Sequence, residues 1–477
     1  MANKYYPTIG LEIHAELKTK TKMFCSCKND PDEEEPNKNI CPVCMAHPGA
    51  LPVPNKKAIK EVIPVGLAIN GNIANFSEFD RKNYFYPDIP KGYQISQYKY
   101  PIVSGGHLAD FDVTRIHLEE DTANNKHDRG DFSLIDFNRA GVPLMELVTE
   151  AHTFGDAEET AKAASTFAKE YQLLLKYLGA SEVNMEKGEM RVEANISVSP
   201  DPKNWGTKVE VKNLNSFRSV ERAIKYEVDR MVELLEDGRG DEIVQETRGW
   251  DENKQATFSQ RKKEGSADYR YFPDPDLPKM QLHEAFNLEE MKKELPELPM
   301  AKRERYQKDF GLKAEDVEVY INDPMLAMWF EGLTKFYDNE KDYFRIASNF
   351  VTSDLIGILK KDSTAKLPEI ENFSKLIKMF LFAKLSSRAV KDILILMTLS
   401  SVDPQKYAEE NNLIQNHDMS VISEIITKII AENPEVVATY KAGKENAIMS
   451  LVGKVIKESK GSANPQMVIE LLKTLLK

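Results

Sequence analysis

The chain has 477 residues, with 41% hydrophobic and 29% charged residues, so we expect several domains, roughly two to four of about 100–200 residues each. A formal net charge of −12 excludes a protein that binds nucleic acid nonspecifically through its overall charge. A signal-peptide hydrophobic region and apolar runs of about 18 residues are both absent, so a cytoplasmic (bacterial) or organelle-matrix protein with no membrane contact is expected.

The first predicted element is a strand over residues 8–17, in which apolar and polar residues alternate. Glu12, His14 and Glu16 share one face of this strand, and the apolar residues share the other. Two carboxylates around one imidazole form a ligand set that suits a divalent cation. A solvated sheet face is the alternative, and this strand alone leaves both interpretations open.

The four cysteines of the chain follow as a CxC pair and a CxxC pair separated by 13 residues: Cys25, Cys27, Cys41 and Cys44. This spacing is typical of a tetrahedral tetrathiolate Zn²⁺ site, whereas a reducing compartment disfavours disulfides. Four thiolates leave no open coordination position, so we predict a structural zinc loop over residues 25–44. Unpaired thiols are the alternative.

Next come a predicted helix from Lys56 to about Asn70, with a kink or break expected at Pro64, and an aromatic and basic segment over 79–98. The segment suits either a binding loop or an aromatic mini-core. Strands are predicted over 113–121, which ends in three acids, and over 132–138.

A helix over 156–178 separates these elements from two further strands, over 190–198 and 207–213. If the two strands pair, the side chains that share one polar face are Glu193, Asn195, Glu210 and Lys212. The recurrence of acids on such faces favours a cation-binding sheet over a solvated one.

After a helix over 219–236, a Pro- and Asp-rich segment marks the end of the first domain, and the rest of the chain is helical in pattern. Residues 441–477 hold seven Lys against three Glu, a local charge of +4, so this end is a candidate for RNA phosphate. Ordinary solvated lysines are the alternative. We therefore predict domains over 1–292, 293–405 and 406–477. A phosphate-binding loop, a dinucleotide fingerprint, an HExxH motif and a nucleophile elbow are absent from the sequence.

Several long segments resemble the B subunit of aspartyl/glutamyl-tRNA amidotransferase. They are IGLEIHAELKTKTKMF, CPVC, HPGALPVPN, FDRKNYFYPDIPKGYQISQY, IHLEED, DFNRAGVPL, VEVKNLNSFRSVERAI, QETRGWDE, DYRYFPDPDLP and, near the C-terminus, GKENAIMSLVGKVIKESKGSANPQ. The resemblance covers nearly the whole chain. It implies a multidomain α+β protein: a cradle-like catalytic domain with a largely antiparallel sheet, an all-α domain and a small all-α tail that contacts tRNA.

The resemblance also implies a kinase and transamidase subunit of a glutamine-hydrolysing carbon–nitrogen ligase. Such a subunit uses ATP and Mg²⁺ to phosphorylate the side-chain carboxylate of misacylated Glu-tRNA(Gln) or Asp-tRNA(Asn). Ammonia then reaches it through a tunnel from an amidase subunit (A), in a heterotrimer with a small subunit (C). The sequence does not decide between the two tRNAs.

By the same resemblance, Glu12, His14 and Glu120 bind the Mg²⁺ and take part in phosphoryl transfer, and Lys82 and Glu120 lie near the exit of the tunnel. From the sheet face we add Glu193, Glu210 and Lys212, with the acids for a second cation and the lysine for phosphate. In the basic tail the candidate tRNA-binding residues are Lys454, Lys457 and Lys460.

Two other functions remain open. One is a noncatalytic tRNA-binding scaffold, in which the tail matters and the acidic face does not. The other is a stand-alone zinc-dependent hydrolase, which a closed tetrathiolate site disfavours because it leaves no position for water.

Overall fold

The structure is a computed structural model that describes residues 4–126, 130–262, 269–337, 340–415, 419–459, 463 and 465–476. The chain divides into two compact units, Met1–Leu298 and Pro299–Lys477. The predicted domain boundaries near 292 and 405 remain predictions. Among the described residues, no helix is both long and apolar enough to cross a membrane.

The first unit contains all eighteen described strands. They are β1 (Tyr6–Glu16), β2 (Asn72–Ile73), β3 (Phe76–Ser77), β4 (Asp80–Asn83), β5 (Tyr93–Ser96), β6 (Val103–Ser104), β7 (His107–Leu108), β8 (Phe111–Glu120), β9 (Asn124–Lys126), β10 (Leu134–Asp136), β11 (Pro143–Thr149), β12 (His152–Thr153), β13 (Met190–Ser199), β14 (Val209–Leu214), β15 (Glu246–Asp251), β16 (Ala256–Lys262), β17 (Phe272–Pro273) and β18 (Met280–Gln281). The main sheet has the order β16-β15-β14-β13-β1-β11-β8-β6-β2, and only its β14–β15 pair is parallel. Strand β1 therefore lies in the middle of a largely antiparallel sheet.

The helices of the first unit are α1 (Lys56–Ala68), α2 (Ala157–Leu178), α3 (Phe217–Glu236), α4 (Leu282–Ala285) and α5 (Leu288–Lys293), with a 3₁₀ turn at Gly240–Glu242. Helices α2 and α3 pack on the apolar face of β1 and β13, and together they form one hydrophobic core. Asp156 caps α2, and Gly179, at φ 67°, ends it, which agrees with the helix predicted over 156–178. Of the kink or break expected at Pro64, the break is wrong, because α1 continues through that proline, and the kink stays a prediction.

The aromatic and basic segment over 79–98 contains strands β4 and β5, which form a small separate sheet with the order β17-β4-β5. Phe272 of β17 lies opposite Arg81 of β4, and Lys82 lies opposite Gln94 of β5. Arg81 fixes this sheet to the following turn, since it donates to Asp274 at 2.9 Å. The segment is therefore an ordered part of this small sheet and not a free loop.

The described part of the second unit is entirely helical. Its helices are α6 (Pro299–Lys308), α7 (Ala314–Asn322), α8 (Pro324–Glu331), α9 (Lys341–Phe350), α10 (Ile356–Lys361), α11 (Ile370–Leu381), α12 (Ser387–Leu399), α13 (Pro404–Glu410), α14 (Met419–Glu432), α15 (Pro434–Lys441), α16 (Ile448–Glu458) and α17 (Pro465–Leu476), with 3₁₀ turns at Gly332–Lys335 and Glu445–Ala447 and a π-helical turn at Val351–Leu355. Helices α14–α17 enclose an apolar cluster of their own. The predicted α+β class, with a helical C-terminal region, is confirmed.

Candidate metal centres

One face of the main sheet collects polar side chains from five neighbouring strands. Residues directly opposite each other in an antiparallel pair point to the same face. His14 of β1 lies opposite Glu146 of β11, and Glu146 lies opposite His117 of β8. On the other side of β1, Glu12 lies opposite Glu193 of β13. The expectation that acids from separate strands share one face is confirmed by this register.

The tightest group on this face comprises His14, Glu119 and Glu146, whose ligand atoms all lie within 4.8 Å of one another. His14 Nε2 lies 3.5 Å from Glu119 Oε1 and 3.4 Å from Glu146 Oε2. His117 Nε2 lies 3.2 Å from the same Glu146 oxygen. Both carboxylates are buried. Two carboxylate oxygens and one imidazole nitrogen at this spacing form a three-ligand set that leaves coordination positions for other molecules.

The charges within this group shift the pKa of its members. Burial lowers the pKa of His14, but Glu146 and Glu119 outweigh that effect and hold it well above its usual value. Burial alone raises the pKa of Glu146, yet His117 and His14 reverse this and leave it well below its usual value. Either a proton on His14 or a bound cation satisfies these two buried carboxylates, so the residues fit a divalent metal.

A second acidic group lies on the same face and contains its own cation. Lys212 Nζ lies 2.8 Å from Glu193 Oε2 and 3.6 Å from Glu210 Oε1. Burial lowers the pKa of Lys212, but Glu193 and Glu210 raise it above its usual value overall. Thr247 donates to Glu210 at 2.6 Å and so fixes that carboxylate. The structure therefore brings the predicted residues Glu193, Glu210 and Lys212 together.

Glu12 lies between the two groups. It accepts a hydrogen bond of 2.8 Å from Asn195 Nδ2, while the Asn195 Oδ1 atom is buried without a described partner. Burial, followed by the charges of Glu146 and Glu193, raises the pKa of Glu12. Glu12 thus shares the face of His14, as predicted, but it is not a member of the three-ligand group.

The sheet β17-β4-β5 supplies a basic and aromatic wall opposite the group. Burial lowers the pKa of Lys82, but the charges of Glu119, Tyr271 and Glu146 raise it overall, which places this ammonium near the two carboxylates. The Lys82 Nζ atom lies 5.1 Å from the centroid of the Tyr269 ring, and among the described residues it forms no ion pair. Burial, with smaller contributions from the neighbouring charges, raises the pKa of Tyr271 to about 12.

The structure does not bring Glu120 to His14, contrary to the expected ligand set. Adjacent residues of a strand point to opposite faces, so Glu120 points away from the face that carries Glu119. Its Oε1 atom accepts from Ile95 N at 2.9 Å and pairs with Lys91 Nζ at 2.7 Å. Glu120 and Lys91 line a separate cavity of about 180 Å³, which the thiol loop closes on another side.

Sequence reasoning missed Glu119 and Glu146. Alternation from His117 selects Glu119 and not Glu120 within the acidic end of β8. Strand β11 is absent from the predicted elements, although a single glutamate within the apolar run PLMELVT indicates a buried carboxylate with a specific partner.

The four cysteine sulfur atoms also lie within 4.8 Å of one another, and Cys41 Sγ lies 3.9 Å from Cys44 Sγ. Sulfur atoms bound to one tetrahedral Zn²⁺ at about 2.3 Å are about 3.8 Å apart, so the cluster fits that ion. All four cysteines are free thiols. Burial raises the pKa of Cys27 to about 12, whereas a hydrogen bond from Cys25 lowers that of Cys44 to about 5. Deprotonation of all four thiols at this spacing therefore requires a bound cation.

The basic tail places Lys454 and Lys457 on the exposed side of α16, one turn apart. The opposite side of this helix packs into the apolar cluster of α14–α17. Lys454 donates to Asn433 Oδ1, and Lys457 is exposed. Lys460 lies outside the described residues.

Comparison with known families gives two matches. Residues 7–287 match a family described as the GatB/GatE catalytic domain, and residues 328–476 match one described as the GatB domain. The B subunit of the aspartyl/glutamyl-tRNA(Asn/Gln) amidotransferase of Thermotoga maritima is 43% identical over 490 residues, covering 99% of each chain.

A protein of the same description from Caldicellulosiruptor saccharolyticus is 44% identical over 98% of each chain. The chloroplastic/mitochondrial B subunit of the glutamyl-tRNA(Gln) amidotransferase of Oryza sativa subsp. japonica is 41% identical over all of this chain and 88% of its own length. The similarity therefore extends over both units of the chain.

Proposed function

Because this chain belongs to the GatB family of aspartyl/glutamyl-tRNA amidotransferase B subunits, we propose that it is the ATP-dependent subunit of such an enzyme. It phosphorylates the side-chain carboxylate of Glu-tRNA(Gln), Asp-tRNA(Asn) or both, and then converts it to the amide. The observation that carries this proposal is the convergence of His14, Glu119 and Glu146 on one sheet face, opposite Lys82.

Phosphoryl transfer requires positioning and positive charge more than covalent chemistry from the protein. A Mg²⁺ held by His14, Glu119 and Glu146 supplies charge to the phosphoryl oxygens when it is bound. Lys82 has no described ion-pair partner and faces the same carboxylates, so it supports a transferred phosphoryl group from the opposite wall. Glu12 and Glu193 remain candidates for an ATP-borne second cation, and Lys212 for phosphate.

The attacking atom is an oxygen of the substrate carboxylate, and the bond that breaks joins the γ-phosphorus of ATP to ADP. Ammonia then attacks the carbonyl carbon, loses a proton and displaces phosphate, which leaves the amide. Glu120 and Lys91 line the separate cavity of about 180 Å³, and Glu120 directly follows Glu119 in β8, a position that suits the expected route of ammonia. The ammonia comes from an amidase subunit (A), in a heterotrimer with a small subunit (C).

The remaining features take supporting roles. The cysteine cluster holds a structural Zn²⁺ that closes residues 25–44. Asn39 of this loop donates its backbone N–H to Asn138 Oδ1 at 2.8 Å. A loop that zinc holds in place therefore also fixes the segment that follows β10. The exposed lysines of α16, Lys454 and Lys457, contact tRNA phosphates, and Lys460 is expected to extend this set. The cytoplasm and an organelle matrix both remain possible compartments.

The test is amide formation by the reconstituted complex with each misacylated tRNA, with and without ATP. We expect product only with ATP, and a loss of about 10³-fold for Glu119→Gln, since that change removes a metal ligand. Asp112→Asn, an exposed acid on the same strand, is the matched control and should retain full turnover. Amide made without ATP would refute the proposal.

The scaffold function makes the opposite prediction for the same assay. Under that function, Glu119→Gln retains turnover, whereas removal of residues 406–477 abolishes it.

A further inference from the structure

Tyr271 lies at the same site, and neither the sequence motifs nor the proposed function gives it a role. Tyr271 directly precedes Phe272, which lies opposite Arg81 at the end of the β17–β4 pair. Its ring lies beside the Tyr269 ring, and the centroid of the Tyr269 ring lies 5.1 Å from Lys82 Nζ, so Tyr271 lies on the side of this sheet that carries Lys82. The charges of Lys82, Glu119, Glu146 and Arg115 all act on its hydroxyl group, which agrees with this position.

The Tyr271 ring is held in place by its neighbours. It stacks on Tyr98 with a centroid distance of 4.5 Å and an interplanar angle of 14°, and the Tyr269 ring meets it at 6.2 Å. The backbone is held as well, because Asn83 N donates to Tyr269 O at 2.9 Å and Asp274 N donates to Phe79 O at 2.8 Å. Arg81 adds ion pairs of 2.9 Å to both Asp274 and Asp276.

The hydroxyl group is the part of this side chain without a partner. Among the described residues it forms no hydrogen bond, although it is half-buried beside four charged groups. The raised pKa keeps it protonated at neutral pH, so it is a neutral donor next to a cationic lysine. An anionic oxygen bound between Lys82 and the three-ligand group would accept a hydrogen bond from the Tyr271 hydroxyl group.

We propose that Tyr271 contacts the reactants, donating a hydrogen bond to an anionic oxygen of the γ-phosphoryl group or of the carboxylate that receives it. The proposal rests on the proposed function and adds a substrate-contacting residue to it. A purely structural role for Tyr271 would use the ring and its stack on Tyr98, and would leave the hydroxyl without consequence.

The variant that separates the two roles is Tyr271→Phe, which keeps the ring and removes only the oxygen. The matched control is Tyr98→Phe, which removes a hydroxyl from the other ring of the same stack. In the full complex, kcat and KM are measured for ATP and for the misacylated tRNA. Mn²⁺ affinity and the thermal midpoint are measured in parallel.

We expect Tyr271→Phe to lower kcat/KM for amide formation by about 10- to 100-fold, with Mn²⁺ affinity and midpoint unchanged. Tyr98→Phe should stay within about twofold of the parent chain. A change in KM for ATP alone assigns the contact to the phosphoryl group, and a change for the tRNA alone assigns it to the carboxylate. Equal kinetics for the two variants would overturn the inference and leave the proposed function intact, whereas a parent complex without ATP-dependent product would overturn both.

Discussion

The two candidate metal groups of the first unit differ in how they are built. The thiol group takes four soft ligands from two turns close together in sequence, and no position is left for another molecule. The group of His14, Glu119 and Glu146 takes two hard carboxylate oxygens and one imidazole nitrogen from three adjacent strands that are separated in sequence, and it remains open. A closed site fixes a loop, and an open site on a rigid sheet can hold reactants. The two sites should therefore fail in different ways when a ligand is removed.

The largest expected effect is the loss of chemistry in Glu146→Gln. Glu146 serves both His14 and His117, so its charge matters more than that of any other residue in the open group. We expect amide formation to fall by at least about 10³-fold, together with Mn²⁺ affinity. Rates in the reconstituted complex and Mn²⁺ titration measure this.

Glu150→Gln is the matched control. Glu150 directly follows β11 but is exposed, and its carboxylate accepts a hydrogen bond from the Thr114 hydroxyl group. Normal turnover and Mn²⁺ binding in Glu146→Gln would remove the open group from the mechanism.

Removal of a ligand from the closed site should instead lower the stability of the fold. Cys44→Ser removes the buried ligand of the cluster, so Zn²⁺ binding and the free energy that it contributes to folding are lost. We expect the free energy of unfolding to fall by about 3 kcal/mol or more. Zinc content and denaturant unfolding check this, with the exposed Ser26→Ala as the control. Lost chemistry with unchanged stability would instead favour a catalytic zinc.

The same contrast explains how far the sequence alone could lead. The thiol site could be predicted from spacing, since its two pairs lie within one short stretch. The central strand β1, helix α2 and the strands β13 and β14 could be predicted from periodicity and caps. These features depend on neighbours in sequence.

The open site could be predicted only in part. His14 and the polar face of β1 follow from alternation, which also places Glu119 on the face of His117, but that this face of β8 meets His14 depends on the register of β8 against β11 and of β11 against β1. That register is a long-range property, and the sequence of β11 itself resembles a turn and an apolar run. The wall that carries Lys82 and Tyr271 depends on a pairing between β4 and β17, whose residues are nearly 200 positions apart. No local pattern contains that information.

A smaller effect tests whether the cation within the second acidic group takes part in the chemistry. Lys212→Met leaves Glu193 and Glu210 without their cation and removes a candidate phosphate ligand. We expect turnover to fall by about 10- to 100-fold, which steady-state rates will show. Lys208→Met is the matched control, because Lys208 lies just before the same strand and is exposed. Equal rates for the two variants would limit Lys212 to a structural role.

The smallest expected effect concerns a third ionic group, which needs no metal and so provides a reference for the other two. Burial raises the pKa of Glu246, but hydrogen bonds from Ser259 and Arg248 reverse this, and its pKa lies below the ordinary value of 4.5. A lowered pKa means that the unfolded chain binds the proton first as the pH falls. The stabilisation by Glu246 is therefore complete above about pH 4.5 and is lost as the pH falls through the folded-state value.

In urea unfolding with chelator present, Glu246→Gln should therefore be less stable than the parent chain at pH 6, and the difference should shrink as the pH falls below about 4.5. Gln255→Ala, at an exposed turn next to the same hairpin, should show no such trend; its side chain only bonds the neighbouring turn and Arg222. A difference that grows towards acid pH would contradict the assignment. Because chelator removes both metal contributions, whatever chelator abolishes belongs to the two metal groups, and the part of the remaining pH dependence that Glu246→Gln removes belongs to Glu246.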